Sequence, residues 1–125
     1  MTPAITILYV DDEPLNLMLF ETMFRKKYKV LKAESGITGL QILENTREIK
    51  VIISDMKMPG MTGIEFIQKA HASRPEILYY ILTGYDITPE IQISLKEGLI
   101  TEYFQKPFNM QLIDKSISSR ISPTT

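Results

Sequence analysis

The sequence points to an α/β fold, a doubly wound five-stranded parallel sheet with helices on both of its faces. Short apolar runs rich in β-branched residues alternate five times with segments of helical periodicity. The third and fourth runs are almost unbroken in apolar residues, as strands buried on both faces must be. The chain has 125 residues, enough for one such domain with a single core.

Ile5 to Val10 forms the first strand and ends in acids. Leu15 to Lys27 is the first helix, with the apolar residues Leu19, Phe20, Met23 and Phe24 at helical spacing. Tyr28 to Ala33 is the second strand, and Gly36 to Asn45 the second helix, with Leu40 and Leu43 inward. Val51-Ile52-Ile53-Ser54 is the third strand and ends in Asp55. Gly63, Phe66, Ile67 and Ala70 share one face of a third helix. Gly60 allows the preceding loop to turn, and Gly63 lets the helix approach closely. Ile77 to Leu82 is the fourth strand. Thr88-Pro89-Glu90 starts the fourth helix, with Thr as cap and Pro at the first position. Glu102 to Gln105 is the fifth strand, and Asn109 opens a last helix with Met110, Ile113, Ile117 and Ile121 inward. Right-handed crossovers give a flavodoxin-like (βα)5 sheet of order 2-1-3-4-5. The expected organisation is a single domain over residues 1–125, with its core at about 5–121 and residues 122–125 as a tail or the start of a linker.

Composition removes several functions. The net charge is −1, from 14 basic and 15 acidic residues, which leaves no basic surface for direct nucleic-acid binding. There is no cysteine, so disulfides, thiol chemistry and cysteine–zinc sites are excluded, in keeping with a reducing cytoplasm. The N-terminal apolar stretch lacks a basic leader and runs directly into acids, unlike a signal peptide. No segment approaches the ~20 apolar residues that span a bilayer. A cytoplasmic protein without membrane attachment is expected.

In sheets of this kind the active crevice lies outside the carboxyl ends of the strands. Asp11, Asp12 and Glu13 follow the first strand, Asp55 ends the third, Thr83 and Gly84 follow the fourth, and Lys106 and Pro107 follow the fifth. The first and third strands are neighbours in the expected order, so Asp11, Asp12 and Asp55 converge. Three such carboxylates repel one another, and a bound cation relieves them. An all-oxygen, acid-rich site suits Mg2+, with the backbone carbonyl of Lys57 as the simplest further ligand. A carboxylate can attack phosphorus to give an aspartyl phosphate. The charge on the phosphoryl oxygens then needs partners. The Lys106 ammonium, the Thr83 hydroxyl and the Gly84 N–H are placed to supply them. Taken singly, Asp11-Asp12-Glu13-Pro14 reads as a helix cap and Lys106-Pro107 as the start of a turn. The joint pattern, each part behind the correct strand, is what carries chemistry.

The segments ILYVDDEP (Ile7 to Pro14), SDMKMPGMTGIEF (Ser54 to Phe66), ILTG (Ile81 to Gly84) and YFQKPF (Tyr103 to Phe108) resemble the receiver domains of bacterial response regulators. The resemblance runs from Ile5 to about Ile121. It implies that Asp55 is the phosphoacceptor, that Asp12 binds Mg2+ directly, and that Asp11 binds it mainly through water. It makes Thr83 and Lys106 the switch residues that hold phosphoryl oxygens. It makes Tyr103 the aromatic that moves inward when the threonine moves toward the phosphate. The implied donors are a histidine kinase, a phosphotransfer protein or a small phosphodonor. The implied recipient is a downstream protein or a fused output domain, and the family habit is to dimerise through the fourth helix, fifth strand and fifth helix.

Lys57 and Tyr85 stand two residues after Asp55 and Thr83, at positions that vary in the family and tune phosphoryl lifetime. They point to slow self-dephosphorylation. The segment from Gly98 to Tyr103 is one residue longer than in the commonest members, which bears on the shape of the output face. His71, the single histidine, lacks a partner motif and reads as a surface residue. The methionines read as core and loop packing. A phosphohydrolase of the haloacid-dehalogenase type would carry a second Asp where Lys57 stands. A pseudo-receiver would have lost an acid, the Thr or the Lys.

Overall fold

Five strands alternate with five helices among the described residues, 4–84, 87–107 and 109–121, of the computed structural model. They are β1 (Thr6–Val10), α1 (Pro14–Phe24), β2 (Lys29–Ala33), α2 (Gly36–Asn45), β3 (Ile49–Asp55), α3 (Gly63–Ser73), β4 (Leu78–Thr83), α4 (Pro89–Lys96), β5 (Glu102–Gln105) and α5 (Met110–Ser118). The sheet is parallel throughout and ordered β2-β1-β3-β4-β5, as expected. Its register pairs Val10 with Ala33 and Ser54, Asp55 with Leu82, and Thr83 with Gln105. All five strands therefore finish along one edge of the sheet.

Alternation along the strands splits the core into two layers. Leu8, Val10, Ile52, Tyr79 and Ile81 pack under α2, α3 and α4, against Leu43, Ile64, Phe66, Ile67, Ala70 and Ile91. Ile7, Tyr9, Val51, Ile53, Tyr80 and Leu82 pack under α1 and α5, against Phe20, Phe24, Ile113 and Ile117. Each fully buried aliphatic or phenylalanine side chain contributes roughly 1.5–3 kcal/mol. Local chemistry starts the helices where the pattern requires. Ser35, Thr62, Thr88 and Asn109 cap α2, α3, α4 and α5, accepting bonds from Thr38, Glu65, Ile91 and Leu112 N–H groups. Glu65 completes a capping box on α3.

The first helix departs from expectation. It ends at Phe24 rather than Lys27, and Leu19, at helical spacing with the buried Phe20 and Phe24, is 42% exposed. Leu17 packs against the core instead, and Met23 is only partly buried. The stretch PLNLMLFETMF is apolar nearly all round, so spacing alone does not choose its buried face. Aromatic contact does: Tyr9 stacks on Phe20 with ring centroids 4.2 Å apart, and Phe20 on Phe24 at 4.3 Å. Leu40 of α2 is likewise only partly buried. None of the described helices is long and apolar enough to cross a membrane. Phe108 and the tail at 122–125 lie outside the described residues.

Candidate functional site

The register delivers the expected residues to one edge. Asp11 and Asp12 follow β1, Asp55 and Thr83 are the last residues of β3 and β4, and Lys106 follows β5. A backbone bond from the Lys106 N–H to the Thr83 carbonyl, at 2.8 Å, fixes the lysine beside β4. The Lys106–Pro107 peptide bond is cis. The loop after Asp55 is tied by Met56 N–H to the Leu82 carbonyl at 3.0 Å and by Gly63 N–H to the Met56 carbonyl at 2.8 Å. A Cβ on Gly63 would stand 2.3 Å from the Asp55 carbonyl oxygen, so only glycine allows α3 to start this close to the site. Gly60, at φ +79°, makes the turn before it.

One carboxylate oxygen from each of Asp11, Asp12 and Asp55 lies within 4.8 Å of the others. Asp11 is wholly buried and Asp55 nearly so, while Asp12 is exposed. The Lys106 ammonium sits between the two buried acids, 3.4 Å from Asp11 Oδ2 and 3.3 Å from Asp55 Oδ2. Burial first, and the Asp11 charge second, push the Asp55 carboxyl above the usual carboxylate range; Lys106 opposes them. Three acids against one lysine make an oxygen-rich site with unbalanced negative charge, which fits a hard divalent cation of the Mg2+ kind. The site opens into a cleft of about 690 Å3 lined by Asp12, Glu13, Asn16, Asp55, Lys57, Met58, Pro59, Gly84 and Lys106.

The remaining expected residues are placed as follows. Thr83 is buried. Tyr103 is in register with Ile81, two residues before Thr83, so its ring and Thr83 share a sheet face. That ring is half-buried against the layer under α3 and α4. Phe104 points to the opposite face and stacks on Tyr80 at 5.7 Å. Lys57 is exposed at the cleft, and Tyr85 lies outside the described residues. His71 is half-buried rather than freely exposed, with its ring 5.8 Å from that of Tyr79.

Tyr9 escaped the sequence reading. Its hydroxyl donates to Asp11 Oδ2 at 2.5 Å, while the Glu13 N–H donates to Asp11 Oδ1 at 3.0 Å. Burial, then the bond to Asp11, push the Tyr9 phenol far above its usual range, so it remains a donor. The signal was available: residues two apart on a strand point to the same face. A second cleft, of about 630 Å3, lies between α2 and α3, away from the strand ends. Its Arg74 is engaged structurally, with the Arg47 carbonyl at 2.9 Å and Glu76 at 2.6 Å.

The family model described as the response regulator receiver domain matches residues 7–118. Sporulation initiation phosphotransferase F of Bacillus subtilis is 33% identical over 112 residues, covering 89% of each chain. Hydrogenase transcriptional regulatory protein HoxA of Cupriavidus necator is 30% identical over 103 residues, which is 82% of this chain but 21% of that one. The chain thus spans about a fifth of HoxA and most of phosphotransferase F. The structure of response regulator protein TrrA from Thermotoga maritima in complex with Mg2+–BeF matches with a TM-score of 0.80 at 25% identity, covering 93% of this chain and 98% of that one.

Proposed function

Because the chain belongs to the response regulator receiver domain family, we propose that Asp55 accepts a phosphoryl group, with Mg2+ as cofactor, and that the face of α4, β5 and α5 reports it. The donor in this reading is a histidine kinase, a phosphotransfer protein or a small phosphodonor, met in the cytoplasm. The observation that carries it is the meeting of Asp11, Asp12, Asp55 and Lys106 at one edge of the sheet.

An Asp55 carboxylate oxygen attacks phosphorus as the bond to the donor nitrogen of phosphohistidine breaks. The electron pair leaves with the imidazole, and the product is an acyl phosphate on Asp55. Asp12 and Asp55 would hold Mg2+ directly, Asp11 mainly through water, and the Lys57 carbonyl would complete the protein's share. Bound there, Mg2+ supplies positive charge against the phosphoryl oxygens. Lys106 Nζ, already 3.3 Å from Asp55 Oδ2, follows the transferred group as a second point charge. The Thr83 hydroxyl and the Gly84 N–H take a further oxygen.

Phosphorylation adds roughly −1 to −2 of charge and new acceptor oxygens. Thr83 and Lys106 are drawn toward it, and Tyr103, on the same sheet face as Thr83, fills the space vacated behind the threonine. A local charge change thereby biases a two-state element at α4, β5 and α5. That face is the candidate contact for a downstream protein, a fused output domain or a second copy of the chain. Lys57 and Tyr85 favour a long-lived phosphoryl group; a half-life of seconds would count against that assignment. The module is regulatory rather than a turnover enzyme, and repeated hydrolysis of an aryl phosphate would contradict this.

Intact mass after incubation with acetyl phosphate tests the phosphoacceptor reading. Wild type gains one phosphoryl adduct that needs Mg2+, and Asp55→Asn gains none. A folded wild type that takes no phosphoryl group from acetyl phosphate or from a phosphorylated histidine phosphotransfer domain overturns it.

A further inference from the structure

Tyr9 places a wholly buried phenol directly behind the acidic site, where one strand position decides what lies beneath Asp11. Resting on the phosphoacceptor reading above, we propose that Tyr9 is a positioning residue of the cation site. Its hydroxyl fixes the Asp11 carboxylate and keeps Lys106 shared with Asp55. The ring cannot swing away, because it is stacked on Phe20 with an interplanar angle of 7° and Phe20 is in turn stacked on Phe24. The hydroxyl therefore stands at a fixed point, 2.5 Å from Asp11 Oδ2. With Glu13 N–H on Oδ1 at 3.0 Å, both carboxylate oxygens are held from within the protein, which sets the plane of the group.

The same Oδ2 is 3.4 Å from Lys106 Nζ, and that ammonium is 3.3 Å from Asp55 Oδ2. The two near-equal distances describe a lysine held between two acids. The phenol competes with the ammonium for Asp11 Oδ2. Without it, Oδ2 is a stronger partner for Lys106, and the ammonium moves toward Asp11, into the charge that a cation would otherwise neutralise. Groups that orient metal-binding carboxylates from behind typically change metal affinity by about 10–100-fold when removed.

A purely structural phenol is distinguished by a matched control. Tyr80 is also fully buried, in the same core layer, and its hydroxyl pairs with Ser116 Oγ at 3.0 Å. Calorimetric titration of Mg2+ into wild type, Tyr9→Phe and Tyr80→Phe, without any phosphodonor, reads the cation site directly. The expected result is about tenfold weaker binding for Tyr9→Phe and a change under about twofold for Tyr80→Phe. Tyr9→Phe binding Mg2+ as tightly as wild type overturns the inference, as does an equal loss in both variants. Should Tyr9→Phe fail to fold, wild type labelled with 13C at tyrosine Cζ carries the test. The Tyr9 resonance must shift on Mg2+ addition more than those of Tyr79 and Tyr80, and a stationary one overturns the assignment. A wild type that binds no Mg2+ removes the phosphoacceptor reading itself, whereas tight wild-type binding with an indifferent Tyr9→Phe removes only the role of Tyr9.

Discussion

Two glycines at the site edge differ in what a methyl group would meet. On Gly63 it would strike the Asp55 carbonyl oxygen at 2.3 Å and Met56 Cα at 3.0 Å, both backbone atoms that cannot turn aside. On Gly84 it would meet Lys106 Cδ at 3.9 Å, an ordinary contact. Gly63→Ala should therefore cost about 1–3 kcal/mol of stability and lower the yield of phosphorylated protein. Gly84→Ala should keep wild-type stability within about 0.5 kcal/mol. Urea unfolding and intact mass check both, and equal stabilities for the two variants would refute the steric account. The close approach at Gly63 and the turn at Gly60 were legible in the sequence, since a loop that must bend back on a strand end asks for glycine. The bond from Tyr9 to Asp11 is less legible, because an apolar strand run displays its burial but not which polar tip on it meets a neighbouring carboxylate.

At the scale of elements, the strands were legible because they are short, β-branched and bounded by acids or turn residues. The capped starts of α3, α4 and α5 follow side-chain rules that a sequence displays. The buried face of α1 was less legible, because Leu15, Met18 and Leu19 are as apolar as its buried residues yet remain exposed. How the turn after α1 is tied to α5 was also hidden, since it rests on residues 86 and 87 positions apart. Beyond α1, Lys27 Nζ reaches Asp114 Oδ2 on α5 at 2.8 Å, and the Tyr28 hydroxyl donates to Asp114 Oδ1. Partial burial acts to raise the Asp114 pKa, but the bonds from Lys27 and Tyr28 outweigh it and hold the carboxyl below its ordinary value. The folded state then binds fewer protons than the unfolded chain, so this tie stabilises above the unfolded pKa and is lost as pH falls through the folded one. Asp114→Asn should lose about 1 kcal/mol at neutral pH, a figure reduced for solvent screening. The gap to wild type should close below about pH 3.9. Urea unfolding at neutral and acid pH measures this, and a gap that stays constant would rule out the charge as its cause.

Across the whole molecule, one sheet edge gathers the acids while the two layers beneath it supply stability. The gathering was legible because strand order and strand ends together decide which residues converge. Its energetic consequence falls on Asp55. Burial, with the Asp11 charge next, raises the Asp55 pKa above the ordinary carboxylate range. Between the unfolded and folded values the folded state binds more protons than the unfolded chain. Stability from this group is therefore full below the unfolded pKa and declines as pH rises through the folded one, so the metal-free domain at neutral pH carries a destabilising charge. Asp55→Asn removes that charge while keeping a similar shape. In chelator at neutral pH it should melt above wild type, and acidification toward about pH 3.9 should shrink the difference. Mg2+ should reverse the order of benefit. A ligand that binds only the folded state stabilises it, by about 2.7 kcal/mol at a hundredfold excess over Kd. Wild type, with all three carboxylates, should therefore gain more than Asp55→Asn. Paired thermal melts in chelator and in Mg2+ make the measurement. An Asp55→Asn protein that melts at or below wild type without metal would mean that the fold carries no penalty for assembling its acids, and that Lys106 alone balances them.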